Sequence, residues 1–311
     1  MDHHALIRIG TRGSPLALIQ AQEVRRRLIE AWPELAAPDA IAIVPIKTTG
    51  DRIQDRTLAE AGGKGLFTKE IEEALQSGTV DLAVHSMKDM PTWLPDGLTI
   101  PCLLPREDPR DALIAGSAKA LADLPSGSVI GTSSLRRQAQ ILANRPDLRV
   151  VSLRGNVETR LRKIAAGEAD ATLLAFAGLR RLGMADRASA ILAPEEMLPA
   201  VAQGAIGVEC RKADTRALEL LAKLHDRPTG IAVAAERALL ARLDGSCRTP
   251  IAALAVLESD SVRLDAMIAT PDGRRLLRTQ RSGSQSDAAA LGDDAGQELR
   301  SAGGPAFFAA A

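Results

Sequence analysis

The sequence predicts two successive α/β units followed by a small α+β domain built on an antiparallel sheet. Three observations predict it. Strand-length apolar runs alternate with helical patterns through two consecutive stretches, a strand-like segment at 205–210 follows them, and from Thr229 the alternation gives way to a helix, three strands and a last helix. With 311 residues and 46% hydrophobic content, the chain can bury a sizeable core in two or three domains.

Residues 6–10 read as the first strand. Ser14 is placed as N-cap and Pro15 as the first residue of a helix to about Ala31, with Leu16, Ile19, Val24 and Leu28 as its apolar face. Arg12 therefore sits at a strand-to-helix turn. Residues 41–46 form the second strand, and the polar, glycine-containing stretch 47–65 suits a mobile loop over a cleft. Its Gly62-Gly63-Lys64-Gly65 lacks the spacing of a phosphate loop, which excludes nucleoside triphosphate binding on that ground. A helix over 68–76 leads to a strand over 79–85 that runs out into His85-Ser86-Met87-Lys88-Asp89-Met90-Pro91. Ligands of open α/β sheets bind beyond the carboxyl ends of strands, so Lys88 and Asp89 are candidate site residues.

Residues 101–110 are proline-rich and charged and read as a crossing into the second unit. That unit has strands at 129–131, 149–153 and 171–177, with one helix carrying Arg136 and Arg137 behind Ser133-Ser134 and another capped by Asn156. The strand at 205–210 returns to the first sheet, as in two-lobed binding proteins whose chain crosses the hinge twice. A helix over 229–243, strands near 251–258, 262–270 and 274–280, a turn at Pro271-Asp272-Gly273 and a helix near 287–300 complete the pattern. The tail from Gly303 is expected to be disordered.

Residues 131–163 hold eight cations (Arg136, Arg137, Arg145, Arg149, Arg154, Arg160, Arg162 and Lys163) against Asp147 and Glu158, in a chain of zero net charge. Cations in the first turn of a helix oppose its dipole, at roughly 0.3–1 kcal/mol each. A site that accepts this usually has an anion to bind, and helix N-termini are natural anion receptors. Arg12, Arg136, Arg137 and Arg154 all fall at strand-to-helix turns, and Arg160 lies one turn into the next helix. That recurrence favours a shared anionic cleft over the alternative, a solvated basic face with scattered ion pairs.

Other classes recede. No apolar run approaches the roughly 18 residues that span a bilayer, and the N-terminus resembles no secretory signal, so no membrane role and a cytoplasmic location are expected. Three widely spaced cysteines and the histidines His3, His4, His85 and His225 make no disulfide framework or metal-ligand spacing. The basic stretch contains no aromatic residue for base stacking, which argues against nucleic acid. Cys102 and Cys210 fit small buried hydrophobes. Cys247, on a glycine-containing loop beside Arg248, is the better candidate for a reactive thiolate.

TRGSPLAL, GGKGLFTKE, VHSMKDMP, REDPRDA, GTSSLRRQ, SLRGNVETRL, AGLRRLG, LPAVAQGAIGVEC and DGSCRTPI, in this order and spacing, closely resemble the porphobilinogen deaminase (hydroxymethylbilane synthase) family over about residues 5–280. The departures are small: Asp244 stands where Glu is frequent, and Gly13 where a polar residue is common. The resemblance implies an enzyme that joins four porphobilinogen molecules with loss of ammonia and releases the linear tetrapyrrole by hydrolysis. It implies a dipyrromethane cofactor held by a thioether to Cys247, and Asp89 as the catalyst that stabilises the electrophilic azafulvene. Arg12, Lys88, Arg136, Arg137, Arg154, Arg160 and Arg181 would hold the acetate and propionate groups, with Ser14, Thr132, Ser133 and Ser134 adding hydrogen bonds. Phe67 and the loop 47–63 would form a lid.

The implied fold is two doubly wound lobes resembling type II periplasmic binding proteins plus an α+β C-terminal domain with a three-stranded antiparallel sheet. The domains would be 1–104 with 200–223, 105–199, and 224–311, in a monomer without a metal. The competing readings are a non-catalytic two-lobed polyanion-binding protein, which needs neither Cys247 nor Asp89, and a thiol-dependent acyltransferase, for which no histidine is placed as base.

Overall fold

The structure, a computed structural model, describes residues 7–52, 65–243, 249–305 and 307. These form two compact units: one from the N-terminal segment to Arg106 together with Ala205–Gly230, the other from Glu107–Gly204 together with the chain from Ile231 onward.

The first unit contains β1 (Ile7–Arg12), α1 (Pro15–Ala31), β2 (Ile41–Ile46), α2 (Thr49–Arg52), α3 (Lys69–Gln76), β3 (Leu82–Ser86) and β4 (Leu98–Leu103). The second follows with β5 (Asp111–Ile114), β6 (Val129–Gly131), α4 (Leu135–Asn144), β7 (Arg149–Val151), α5 (Val157–Ala165), β8 (Ala171–Ala175), α6 (Phe176–Arg181) and β9 (Ala190–Ile191). The chain rejoins the first unit through β10 (Ile206–Arg211) and α7 (Thr215–Ala222), and α8 (Arg227–Arg242) leads to β11 (Ile251–Glu258), β12 (Ser261–Ala269), β13 (Leu276–Ser284) and α9 (Ala288–Gly303).

In the first unit the sheet order is β2-β1-β3-β10-β4, with β10 antiparallel to both neighbours, so the returning strand expected from sequence is present. Ser14 caps α1 by accepting the Ala17 N–H, and Pro15 starts the helix. The buried stripe of α1 is Ala17, Gln20, Ala21, Val24 and Leu28. Leu16 and Ile19 were expected there, but the 3.6-residue period through Val24 and Leu28 selects the small alanines, which let the helix approach the sheet closely. Val24 and Leu28 join Ile9, Leu82, Val208, Cys102 and Cys210 in the core. Burying each large aliphatic side chain contributes about 1.5–3 kcal/mol.

The expected crossing at 101–110 is partly corrected: Pro101, Cys102 and Leu103 belong to β4, whose proline is tolerated because β4 is an edge strand. In the second unit the order is β7-β6-β8-β5-β9, with β5 antiparallel to β8 and β9. The strand expected over 171–177 stops at Ala175, because Phe176 begins α6. The remaining sheet is β11-β12-β13, antiparallel throughout, with α9 packed on β12 and β13. Ala139 of α4 packs with Ala252, Leu254 and Met267 of that sheet.

The expected disorder of the tail is corrected at Phe307. Its ring is 3% exposed and packs against Gly303, where a Cβ would meet both Ile268 and Phe307 at 3.2 Å. An aromatic ring among small residues gains more from this slot than from solvent. Among the described residues, no helix is long and apolar enough to cross a membrane.

Candidate active site

In the first unit the chemistry gathers where β1 and β3 end. Arg12 closes β1, and Ser86 closes β3 before a 3-10 turn, Met87–Asp89, carries Lys88 and Asp89 outward. Arg12, Ser14, Phe67, His85, Lys88 and Asp89 line one pocket. The turn is held from below. Met87 is buried, its N–H donates to the Ala205 carbonyl at 3.0 Å, and it lies over Gly207, where an added Cβ would stand 2.2 Å from the Met87 sulfur. Gln20 and Ser86 exchange hydrogen bonds at 2.9 and 3.1 Å, which fixes the strand end against α1.

Arg12 is not idle. Its Nε donates to both Asp51 carboxylate oxygens, at 3.1 and 3.3 Å, its Nη2 closes a further contact to the same carboxylate, and its guanidinium carbon lies 4.1 Å from the centroid of Phe67. Burial alone would raise the Asp51 carboxyl; the bonds from Arg12 and Thr48 outweigh it and hold it below the usual range. Asp51 was missed in the sequence because the short helix α2 lies in a polar stretch read as a loop, where a single acid carries no periodic signal. It shows what this corner of the pocket accepts: a carboxylate chelated by a guanidinium over an aromatic face.

In the second unit, Ser134 caps α4, and its hydroxyl accepts the Arg137 N–H at 3.4 Å. Thr132 is buried with its hydroxyl accepting the Ser134 N–H at 3.1 Å, and exposed Ser133 meets the Ser152 hydroxyl at 3.0 Å. Arg136 and Arg137 are buried. Their Nη2 atoms each donate to one oxygen of Asp111 at 2.7 Å, and their Nη1 atoms donate to the Leu198 and Leu173 carbonyls. Gln203 adds a third donor to Asp111 at 2.9 Å. Burial would push Asp111 up, but the two guanidinium charges outweigh it and hold the carboxyl far below its ordinary range.

The sequence reading, which pointed to a bound anion for Arg136 and Arg137, did not anticipate that one lies within the chain. The chain supplies the first one itself, because Asp111 at the start of β5 comes under the first turn of α4. Two guanidiniums against one carboxylate still leave an excess positive charge at this helix N-terminus.

Arg154 follows β7, and Gly155, at φ 123°, turns the chain into α5; Asn156 caps that helix by accepting the Thr159 N–H at 2.8 Å. Arg160 folds back so that its Nε donates to the Gly155 carbonyl at 2.9 Å, and Arg181 at the end of α6 donates to the Gly204 carbonyl at 2.8 Å. All three are partly buried. Cys247 and residues 53–63 of the expected lid lie outside the described residues. Cys102 and Cys210 are fully buried, and burial pushes their thiols up to about 12 and about 11, so neither offers a thiolate near neutral pH. No cluster of metal-ligating side chains occurs among the described residues.

A family model described as "Porphobilinogen deaminase, dipyromethane cofactor binding domain" matches residues 7–219, and another, "Porphobilinogen deaminase, C-terminal domain", matches residues 231–301. The chain belongs to the porphobilinogen deaminase family. It is therefore an enzyme of tetrapyrrole biosynthesis, a transferase that acts on porphobilinogen, and it has the family's dipyrromethane cofactor binding domain. The porphobilinogen deaminase of Nitrobacter winogradskyi is 57% identical over 303 residues, covering 97% of this chain and 95% of the relative. The chloroplastic porphobilinogen deaminase of Oryza sativa is 55% identical over 307 residues, covering 98% of this chain and 86% of the relative. Among solved structures, the periplasmic VFT2 domain of Bordetella pertussis BvgS is 15% identical with a TM-score of 0.40, over 72% of this chain and 87% of that one.

Proposed function

We propose that the pocket of the first unit is where porphobilinogen reacts, with Asp89 as the catalytic carboxylate and Arg12, Lys88 and Ser14 holding substrate carboxylates. The observation that carries this reading is the pocket itself, where Arg12, Ser14 and Phe67 line one cavity with the exposed Lys88 and Asp89 at the carboxyl end of β3. The dipyrromethane brings four carboxylates of the same kind, so the residues present fit it. When bound, it supplies the primer to which the pyrrole units are joined.

As ammonia leaves the substrate's aminomethyl carbon, positive charge spreads toward the pyrrole nitrogen. A carboxylate placed at the pyrrole N–H stabilises that charge, and its position on a fixed 3-10 turn means little reorganisation at the moment of reaction. Lys88 and Arg12 orient the acetate and propionate, Arg bidentately. Phe67, stacked on Arg12, holds the guanidinium plane.

In the second unit, Arg154, Arg160 and Arg181, with the hydroxyls of Thr132, Ser133 and Ser134, bind further carboxylates. Arg136 and Arg137 act there through the excess charge they keep beyond Asp111. Cys247 is the thioether attachment point. We further assign three domains, 1–104 with 200–223, 105–199 and 224–311, a monomeric state and a cytoplasmic location. The separate three-stranded sheet and the separate family match to residues 231–301 support the third domain.

Intact-mass measurement tests the tether. The purified enzyme is expected to be heavier than its chain by one dipyrromethane, and Cys247→Ser is expected to show the bare chain mass. An active enzyme of unmodified mass would refute the assignment.

A further inference from the structure

Behind the pocket wall lies a group of polar side chains that the reaction does not use. His85, on β3, lines the pocket and bonds through Nε2 to Glu209 Oε2 of β10 at 2.9 Å. Glu209 has no exposed surface, and its other oxygen is buried without a hydrogen-bond partner among the described residues. Glu72 reaches the same region from α3, which packs on β3 and β10; it is 6% exposed, and its Oε1 is likewise buried without a partner. The buried hydroxyl of Thr68, one turn before Glu72, also lines the pocket and lies close enough to lower the Glu72 carboxyl, against the larger opposing effect of burial.

Two buried carboxyls with unpaired oxygens cannot both ionise cheaply beside the one imidazole that reaches them among the described residues. Other cations on the elements packed against α3 are committed elsewhere. Arg8 of β1 is bonded to Asp81, Arg12 to Asp51, and Arg211 of β10 to Asp81 and Asp214. The remaining ionisable groups on the strands beside them are the thiols of Cys102 and Cys210; on α3 itself Lys69 pairs with Glu73 at 3.9 Å, Glu70 accepts from the Thr49 N–H at 2.8 Å, and Glu73 adds a further negative charge. Burial, followed by the Glu209 charge, pushes the Glu72 carboxyl up.

We propose that Glu72, with Glu209 and His85, forms a buried proton site behind the Arg12–Lys88–Asp89 pocket, and that losing this proton weakens binding of the anionic substrate. When Glu72 ionises, a negative charge appears in a low-dielectric region beside His85 and Thr68, which line the pocket, and it repels the substrate carboxylates. The substrate half of this statement rests on the reading of the pocket given above; the proton half does not.

The two halves have separate readouts. A carboxyl with a raised folded pKa stabilises the fold fully below the unfolded Glu value of about 4.3, and that contribution is lost as pH rises through the folded value. Glu72→Gln removes the titration while keeping the shape. Its melting temperature relative to wild type should therefore climb as pH rises above that point and then level off; a difference that stays constant with pH would refute the proton site. In steady-state assays of the cofactor-bearing enzymes, wild-type KM for porphobilinogen should rise several-fold more than that of Glu72→Gln across the same pH interval in which their melting temperatures diverge, with kcat following the same course in both. Identical KM profiles would overturn the coupling to substrate while leaving the pocket reading itself intact. Should the variant fail to fold, 13C NMR of glutamate-labelled wild type decides instead: one carboxyl titrating well above the ordinary range supports the site, and its absence refutes it.

Discussion

Asp111 accepts a 2.7 Å hydrogen bond from Arg137 with both side chains buried, and its second oxygen does the same for Arg136. Removing the charge of the shared carboxylate strands two buried cations. Asp111→Asn is expected to destabilise the fold by about 3–5 kcal/mol at neutral pH, read from urea unfolding. The sign with pH follows from the depressed carboxyl. Its contribution is present above the unfolded Asp value of about 3.9 and is lost as pH falls through the lower folded value, so the gap between variant and wild type should narrow in acid.

Arg12 separates binding from stability. Its pair with Asp51 is about a quarter exposed on each side, so Arg12→Leu should change stability by less than about 1 kcal/mol. Loss of charge-assisted hydrogen bonds to a substrate carboxylate is worth about 1.5–3 kcal/mol, so KM for porphobilinogen should rise roughly tenfold to a hundredfold. An unchanged KM would remove Arg12 from the binding set.

Gly207 lies under Met87 and so sets the height of the turn that carries Lys88 and Asp89. Gly207→Ala brings a Cβ against the Met87 sulfur and must shift the Met87–Asp89 turn or β10. Displacement of about 1 Å can lower turnover by about a hundredfold. The expected result is a fall in kcat with the cofactor mass retained; unaltered kcat would mean that the turn adapts without moving Asp89.

Much of the fold was legible because its signals are local. Ser14-Pro15 and Asn156 announce their helices, and the alternating runs announce the two sheets. Strand β4 was obscured by Pro101, which an edge position tolerates, and the α1 stripe was misread because alanines carry little hydropathy. The position of Lys88 and Asp89 beyond a strand end was legible, and they do line the pocket there. Asp51, Asp111 and the Glu72–Glu209–His85 group were not, since each matters through a partner 25 or more residues away or on another element. No sequence period encodes that kind of pairing. The charge of Arg136 and Arg137 was therefore read correctly while its first counterion was not.

The assignment of Asp89 as the group that performs the chemistry is tested most directly by Asp89→Asn, assayed for ammonia release and weighed intact in the same preparation. The variant should carry the dipyrromethane mass and lose on the order of a hundredfold or more in turnover. A cofactor-bearing Asp89→Asn enzyme that turns over near the wild-type rate would contradict the account.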